Sequence, residues 1–337
     1  MNVFDGRTIL VTGGTGSFGR HFARTALSHW NPAAIRIFSR DELKQVEMAR
    51  KFDDPRVRFF IGDVRDRERL RRAADGVDIV VHAAAMKQVP VCEYNPFEAV
   101  RTNILGTQNV AEVCIDAGVK RAVALSTDKA VSPVNLYGAT KLCAEKLFVQ
   151  ANVYTGAHQT RLSCVRYGNV VSSRGSVIPL FLEQSTRGEL TVTDERMTRF
   201  WITLDQAVQF VADCIVRMHG GEVFVPKIPS TRVLDLAEAV APGTPIRYTG
   251  IRPGEKLNES LITSEEARHT LDAGWCYIVE PEHSFWQVGG VDGAQPVAED
   301  FVYSSDRNTD WLDVEAVRLL LAAAGTMVEE SVPVEVG

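Results

Sequence analysis

A glycine-rich segment close to the start of the chain constrains the fold more than any other feature. The run Thr12-Gly13-Gly14-Thr15-Gly16-Ser17-Phe18-Gly19 lies between a short apolar stretch and a helical pattern. Glycine permits positive φ in the tight turn and lets the backbone approach a pyrophosphate at a helix N-terminus. The glycines also match G-x-G-x-x-G. The segment predicts a dinucleotide-binding fold, with cofactor contacts from Gly13, Thr15, Gly16, Ser17, Phe18 and Gly19.

Short β patterns alternate with helical patterns through the first half of the chain, which is typical of a parallel sheet covered on both faces. The predicted strands are Thr8–Thr12, Ile35–Ser39, Val57–Ile61, Ile79–Ala83, Arg121–Ser126 and Thr160–Tyr167. The predicted helices are Phe18–Trp30, Asp41–Lys51, Asp66–Ala74, Pro96–Asp116 and Tyr137–Tyr154. We therefore predict an α/β fold, a doubly wound Rossmann sheet.

The alternation stops after Tyr167, where Gly, Ser and Pro become frequent. A helix at Leu204–Met218 and a strand at Glu222–Val225 could return to the sheet. The rest reads as irregular, with short helices at Leu234–Val240 and Val314–Ala324 and a frayed tail at 329–337. We expect a Rossmann domain from residues 1–170 plus about 200–228, and a smaller, discontinuous C-terminal substrate lobe from about 171–199 and 229–337.

Composition excludes several classes of partner. With 37 basic and 43 acidic residues the net charge is −6, which offers no electrostatic attraction to nucleic acid or to an anionic membrane. No apolar run approaches the roughly 20 residues that span a bilayer, and no secretory signal pattern precedes the first strand. Six scattered cysteines suit a reducing compartment, and no histidine spacing suggests a metal. We expect a cytoplasmic homo-oligomer without metal.

The end of the second predicted strand bears on the choice between NAD and NADP. An acidic residue there would bind a ribose 2′-hydroxyl, whereas Ser39, Arg40 and Lys44 could bind a 2′-phosphate. These residues favour NADP, and Asp41 argues against it. Asp63 and Val64 follow the third strand, where they could contact adenine; the alternative for Asp63 is a helix N-cap.

Tyr137 and Lys141 are four residues apart and therefore share one face of a helix. A nearby ammonium lowers the pKa of a tyrosine, so the phenol could exchange a proton with a substrate hydroxyl during hydride transfer. Thr127 ends the preceding strand, ten residues before Tyr137. The three residues predict a catalytic group, of which Tyr137 and Lys141 would also contact the cofactor.

These motifs resemble the extended short-chain dehydrogenase/reductase family. The glycine loop, Asp63, Asn103 and the Tyr137/Lys141 pair match that family, as does the run Ala83-Ala84-Ala85, which the resemblance assigns to the cofactor site. The resemblance implies a Rossmann domain and a lobe that grips a nucleotide diphosphate sugar.

A narrower resemblance is to the soluble, C5-inverting UDP-N-acetylglucosamine 4,6-dehydratases, including those that open pseudaminic acid biosynthesis. It rests on five segments: Phe38-Ser39-Arg40-Asp41-Glu42, Ala85-Met86-Lys87-Gln88-Val89-Pro90, Ser126-Thr127-Asp128-Lys129-Ala130, Met197-Thr198-Arg199-Phe200-Trp201 and Arg252-Pro253-Gly254-Glu255-Lys256. The implied substrate is a UDP-N-acetylhexosamine.

Dehydration needs an acid and a base in addition to the Tyr/Lys pair. The resemblance makes Lys129 the C5 base and Asp128 the C6 acid. Adjacent opposite charges stabilise both ionised forms, which are the wrong forms for these roles, so we expect the pair to share one proton. A loop ion pair is the alternative.

Cations and amides in the other matching segments are candidates for substrate binding. Arg199 and Arg252 could bind the diphosphate, because guanidinium pairs with phosphate in bidentate fashion. Asn169 could hydrogen-bond the same group or the sugar, and Glu255 could orient Arg252 or a uridine ribose. Lys87 could reach the nicotinamide end of the cofactor or the hexose. Trp201 and Phe200 are assigned to the core.

Two other functions remain open from the sequence. A UDP-hexose 4-epimerase or related decarboxylase could use the same scaffold, although neither explains the Asp128-Lys129 pair. A non-catalytic NADP-binding regulator would not need the Thr127, Tyr137 and Lys141 set. The sequence leaves open the C5 stereochemistry of the product.

Overall fold

The computed structural model describes residues 2–171, 177–281, 291 and 293–325, and the fold is given for these residues. The strands are β1 Thr8–Thr12, β2 Ala34–Ser39, β3 Val57–Ile61, β4 Ile79–His82, β5 Arg121–Thr127, β6 Arg161–Tyr167, β7 Asn169–Val170, β8 Leu190–Val192, β9 Thr198–Ile202, β10 Val223–Pro226, β11 Ser230–Arg232, β12 Ile246–Tyr248, β13 Ser260–Ile262, β14 Thr270–Asp272, β15 Cys276–Val279, β16 Gln295–Pro296 and β17 Tyr303–Ser304.

The α-helices are α1 Ser17–His29, α2 Glu42–Ala49, α3 Arg67–Ala74, α4 Val89–Tyr94, α5 Pro96–Ala99, α6 Gly106–Asp116, α7 Leu136–Gln150, α8 Val177–Ser185, α9 Leu204–Arg217, α10 Val233–Val240, α11 Ser264–Ala267 and α12 Val314–Ala323. A π-helix spans Val100–Leu105, and 3₁₀ turns span Asp128–Ala130 and Ala151–Tyr154.

The main sheet has the strand order β3-β2-β1-β4-β5-β6-β10, with every neighbouring pair parallel. Its apolar strands are buried on both faces, as Ile9, Leu10 and Val11 of β1 are. Successive strands are added outward on one side from β1 to β3 and on the other side from β4 onward, so the order of strands reverses at β1 and β4, whose carboxyl ends open onto a crevice. The predicted doubly wound Rossmann fold is confirmed.

The sheet continues beyond β10 with strands that the sequence did not predict. β15 pairs antiparallel with β10, β14 with β15, and β16 with β14, so these three strands supply an edge to the main sheet. Irregular structure was expected here, and that expectation was wrong because strands of two to four residues carry little alternation. The division into two domains stays a prediction.

The sequence predicted one long helix at Pro96–Asp116. The structure has three segments there, because the π-helix Val100–Leu105 separates α5 from α6. The π-helix carries Asn103, whose Oδ1 accepts from the Met86 backbone N–H at 2.8 Å. Its Nδ2 donates to Met86 O at 2.9 Å and to Thr140 Oγ1 at 3.0 Å. The widened turn thus ties the loop after β4 to α7.

A second apolar core forms the lobe beside the carboxyl ends of the strands. It includes Ile178, Phe181, Trp201, Leu236 and Leu321, and small sheets β11-β9-β7 and β12-β8 border it. Trp201 is buried, as predicted, whereas the predicted tail at 329–337 lies outside the described residues. No helix in the described part of the chain is long and apolar enough to cross a membrane.

A buried ion cluster joins α7 to the lobe. Arg166, on β6, is almost fully buried and pairs with Glu145 of α7 at 2.5 Å and with Glu266 of α11 at 2.8 Å. Its Nη1 also donates to Leu261 O at 2.7 Å. Because the guanidinium contacts both elements, the helix that carries Tyr137 and the segment that carries β13 are held together.

Candidate active site

A single cleft of about 1210 Å³ runs from the glycine loop, across the carboxyl ends of the parallel strands, into the lobe. Its lining includes every residue that the sequence assigned to a site, except Asp128: Gly13, Thr15, Gly16, Ser17, Phe18, Gly19, Ser39, Arg40, Lys44, Asp63, Val64, Ala83, Ala84, Ala85, Lys87, Thr127, Lys129, Tyr137, Lys141, Asn169, Arg199, Arg252 and Glu255. Segments far apart in the sequence therefore form one continuous site.

The glycine loop packs backbone to backbone against the end of β4. Gly13 has φ +65°, and a Cβ there would lie 2.8 Å from the carbonyl group of Ala83. α1 begins after Gly16, and within the described residues no side chain caps its first turn. The first N–H groups of a helix lack intrahelical acceptors and attract anions. A dinucleotide pyrophosphate fits this end of the cleft.

At the end of β2 the acidic residue, Asp41, already forms a hydrogen bond and an ion pair within the protein. Asp41 caps α2 by accepting from the Lys44 N–H at 3.0 Å, and its carboxylate lies 2.5 Å from Lys44 Nζ. Arg40 keeps more than half of its side chain exposed, with Nη1 3.7 Å from Asp63 Oδ2. The Ser39 hydroxyl accepts from Gln45 Nε2 at 3.2 Å. Of the three charged side chains at this position, Arg40 is the most exposed.

Asp63 is not the helix cap that the alternative reading required. Asp66 caps α3, accepting from the Arg69 N–H at 3.0 Å. The Asp63 carboxylate instead accepts from the backbone and guanidinium of Arg65. Burial raises the pKa of Asp63, but the Arg65 hydrogen bonds outweigh it and leave the pKa lowered.

Tyr137 and Lys141 lie in the first turns of α7, which Asn135 caps by accepting from the Gly138 N–H at 2.8 Å. Lys141 Nζ donates to Leu125 O at 2.7 Å, and burial lowers its pKa. Burial raises the pKa of Tyr137 to about 12, and the cation that most opposes this rise is Lys129. The expectation that Lys141 lowers the Tyr137 pKa was wrong, because burial dominates and Lys129 is the effective neighbour.

Asp128 and Lys129 form the 3₁₀ turn that directly follows β5. Asp128 Oδ1 accepts from Thr127 Oγ1 at 2.8 Å and from Lys129 Nζ at 3.1 Å, while buried Oδ2 has no hydrogen-bond partner among the residues that the structure describes. Burial raises the pKa of Asp128 despite Lys129. Burial lowers the pKa of Lys129, but Asp128 and Glu259 outweigh it and leave the pKa raised. The expected stabilisation of both ionised forms is thus found for Lys129 only, since a buried carboxylate is costly.

The Asp128–Ala130 turn and α7 touch at Gly138. An ideal Cβ on Gly138 would lie 2.1 Å from the carbonyl oxygen of Lys129, well inside contact distance. Only the absence of a side chain lets the helix pack this closely. The spacing between Tyr137 and the Asp128–Lys129 turn therefore depends on Gly138.

Glu259 is a site residue that the sequence analysis missed. Its buried carboxylate lies 3.5 Å from Lys129 Nζ, 3.4 Å from Lys256 Nζ and 4.0 Å from Arg199 Nε. We call these four residues the Glu259 cluster. The available signal was its position three residues beyond the Arg252-Pro253-Gly254-Glu255-Lys256 segment.

The two arginines assigned to the diphosphate differ in exposure and in their hydrogen bonds to the backbone. Arg199 Nη1 donates to Thr198 O at 2.7 Å and Leu257 O at 2.8 Å, and Nη2 donates to Lys256 O at 3.0 Å. Arg252 is more than half exposed, with Glu255 Oε1 3.7 Å from its Nη1. Arg199 is thus engaged by the backbone, and Arg252 is the more available guanidinium.

Lys87 and Asn169 lie near Lys129 of the Asp128–Ala130 turn. Asn169 Oδ1 is 3.5 Å from Lys129 Nζ. Burial, followed by the charge of Lys129, lowers the pKa of Lys87. Both residues line the cleft where the Rossmann sheet meets the lobe, so a sugar bound there would contact them and Lys129 together.

The fold and the cleft define an enzyme of the short-chain dehydrogenase/reductase class, as the sequence resemblance predicted. The chain belongs to the family described as polysaccharide biosynthesis protein, which matches residues 9–281. A UDP-N-acetylglucosamine 4,6-dehydratase (inverting) from Campylobacter jejuni is 51% identical over 318 residues, covering 92% of this chain and 95% of that protein. A UDP-glucose 4-epimerase from Rickettsia canadensis is 41% identical, covering 97% and 99%.

Solved structures share the architecture. The X-ray structure of Pen from Bacillus thuringiensis superposes with a TM-score of 0.90 and 37% identity, covering 96% of this chain and all of that one. A dTDP-glucose 4,6-dehydratase from Streptomyces venezuelae, solved with NAD and TYD bound, gives a TM-score of 0.67 and 26% identity over 74% of this chain and 86% of its own. Its NAD agrees with a nicotinamide dinucleotide as the class of cofactor.

Proposed function

We propose that this chain is a UDP-N-acetylglucosamine 4,6-dehydratase that inverts C5. The observation that carries the proposal is the Asp128–Lys129 turn, packed through Gly138 against the helix of Tyr137. Hydride transfer alone needs only the Tyr137/Lys141 pair. Elimination of water needs a further acid and base, and the buried carboxyl and the amine beside it are groups of that kind.

We propose NADP as the cofactor. Exposed Arg40 and the hydroxyl of Ser39 suit a ribose 2′-phosphate, and Asp41 is committed to capping α2 and to Lys44. The glycine loop would hold the pyrophosphate, with Asp63 and Val64 at the adenine and Ala83–Ala85 along the cofactor. When bound, NADP would supply the hydride acceptor for C4 and the donor for C6.

In the proposed chemistry, Tyr137 removes the C4 hydroxyl proton as C4 is oxidised, and Lys141 and Thr127 support it. The resulting ketone acidifies the C5 hydrogen, which Lys129 removes as a proton. Asp128 protonates the departing C6 hydroxyl, so one water leaves. Return of the hydride to C6, with protonation of C5 from the opposite face, completes a dehydration without net redox change. Burial raises the pKa of Asp128 and so favours the protonated form that this step requires. The raised pKa of Lys129 favours its ammonium form, so removal of the C5 proton requires that the pair share one proton, carried by Asp128 when Lys129 acts as the base.

Substrate binding is proposed at the lobe end of the cleft. Arg252 would bind the diphosphate, and Arg199 would contribute its charge from behind the Lys256–Leu257 backbone. Glu255 would orient Arg252 through their 3.7 Å contact. Lys87 and Asn169 would contact the hexosamine beside Lys129.

We propose a cytoplasmic homo-oligomer. Six free cysteines suit a reducing compartment. The exposed aromatic side chains of Tyr94 and Phe97 support association of subunits. Light scattering on the purified chain measures the assembly.

A 4-epimerase is the second candidate, because relatives that are 41% identical or less carry that name. An epimerase needs the Tyr/Lys pair and room for the sugar to turn, and it leaves Asp128 and Lys129 without a task. The two functions differ in whether water is lost.

The deciding experiment is incubation with UDP-N-acetylglucosamine in deuterated buffer, followed by mass spectrometry and NMR. Dehydration gives a product lighter by one water, and the coupling constant at C5 reports inversion. Lys129→Ala should lose deuterium exchange at C5, whereas Asp128→Asn should keep some exchange but fail to expel the C6 hydroxyl. Unchanged mass with a new C4 epimer would refute dehydration. Full activity of Lys129→Ala would assign the base to another residue.

A further inference from the structure

Glu259 is the one anion of its cluster, and it is held by three cations from three segments. Lys129 comes from the turn after β5, Arg199 from β9, and Lys256 from the loop before β13. The Glu259 backbone N–H donates to Ser305 Oγ at 3.0 Å. Glu259 is therefore held in place through both its backbone N–H and its side-chain carboxylate.

The loop that carries Glu259 is fastened to the Asp128–Ala130 turn at a second point. Lys256 Nζ donates to Val131 O, one residue beyond the turn, at 2.6 Å. Arg199 holds the same loop through the carbonyls of Lys256 and Leu257. These bonds keep the Glu259 carboxylate near Lys129, so its negative charge stays close to the Lys129 amine.

Lys129 Nζ has three acceptors around it. Asp128 Oδ1 lies at 3.1 Å, Asn169 Oδ1 at 3.5 Å and Glu259 Oε1 at 3.5 Å. Asp128 is local to the turn, whereas Glu259 comes from the lobe. The lobe thus supplies the second charged contact that orients the amine.

We propose that Glu259 is a positioning residue for dehydration, whose carboxylate holds the Lys129 amine beside Asp128 and fixes the charge of the Asp128–Lys129 pair. This inference rests on the proposed function. Glu259 itself forms no bond to substrate in the proposal; it acts through Lys129.

The electrostatics of the cluster keep Glu259 charged, as an ion-pair partner of Lys129 must be. Burial raises the pKa of Glu259, but Lys129, Arg199 and Lys256 outweigh it, so the pKa is lowered and the carboxylate stays ionised. Its charge adds to the rise in the pKa of Asp128 and of Lys129. Other groups that act on the pair are Lys87, Tyr137, Arg199 and the Thr127 hydroxyl.

The test is the pH profile of dehydration in Glu259→Gln, which keeps the side-chain size and removes the charge. Removing an anion lowers the pKa of both partners, so both limbs of the profile should move to lower pH, by about one unit or more at this separation. We expect kcat to fall roughly 10-fold or more, since the amine loses its orientation. Glu259→Asp keeps the charge and should restore the position of the profile.

A second readout needs no turnover. The neutral amine of Lys129 reacts with acetylating reagents, and its labelling rate at pH 9 can be followed by peptide mass spectrometry. Glu259→Gln should raise that rate several-fold, because a lowered pKa leaves more neutral amine. Glu265→Gln, an exposed acid on α11, is the matched control and should change neither the rate nor the profile.

These outcomes separate the inference from the proposed function. A wild-type chain that fails to dehydrate UDP-N-acetylglucosamine refutes the function, and the labelling rate then decides on Glu259. A slower Glu259→Gln enzyme with an unshifted profile and unchanged labelling would overturn the inference and leave Glu259 a structural residue.

Discussion

The contact between Gly138 and the Asp128–Ala130 turn predicts an effect on the rate of dehydration, and the structure sets the size of that effect. In Gly138→Ala the new Cβ would lie 2.1 Å from Lys129 O, whereas ordinary contact begins at 3.4 Å. The helix and the turn must therefore separate by about 1.3 Å, the difference between these distances. A misplacement of about 1 Å costs roughly 10²-fold in rate. We expect kcat for dehydration to fall by about that factor.

The assay is steady-state dehydration of UDP-N-acetylglucosamine alongside NADP titration and thermal denaturation. Cofactor affinity should fall much less than kcat, because most of the proposed cofactor contacts lie outside α7, in the glycine loop and after β2, β3 and β4. Ala139→Gly, at the exposed neighbouring position, is the control: it costs about 1 kcal/mol of helix stability but should leave kcat unchanged. A folded Gly138→Ala enzyme with wild-type kcat would refute the view that this contact sets the catalytic geometry.

Two further predictions concern the cofactor and the proton relay. Arg40→Asp should weaken NADP much more than NAD, since it puts an anion beside the 2′-phosphate; equal losses in titrations with the two cofactors would contradict the assignment. Tyr137→Phe should lower dehydration by about 10²–10⁴ while the circular dichroism spectrum stays that of the wild type. Near-normal turnover would show that another group takes the C4 hydroxyl proton.

Most of the sheet and the cleft could be predicted because their signals are local. Apolar strand runs such as Ile9–Val11 and the glycines after β1 encode burial and a tight turn in a few consecutive residues. Tyr137 and Lys141 share a helix face by spacing alone. Their assembly into one cleft follows from the rule that the carboxyl ends of parallel strands lie at one edge of a sheet.

The remaining features depend on contacts distant in sequence. Burial by tertiary packing, which raises the pKa of Asp128, has no signature in Ser126–Ala130 itself. Glu259 meets Lys129 across 130 residues of chain. Arg199 was identified by its motif, but the carbonyls that occupy its donors belong to the loop before β13. The π-helix at Val100–Leu105 was missed because its sequence continues a helical pattern.

The buried cluster of Arg166, Glu145 and Glu266 limits which substitutions this chain can accept. Replacing Arg166, Glu145 or Glu266 alone leaves buried charge without its partner, a loss of about 3–5 kcal/mol for broken buried pairs. Replacing all three together with apolar residues of similar volume can be neutral. A substitution at one of the three positions should therefore strongly destabilise the fold. Replacing the other two residues as well should restore stability. Grafting the lobe of one relative onto the sheet of another should succeed only when all three residues come from the same parent.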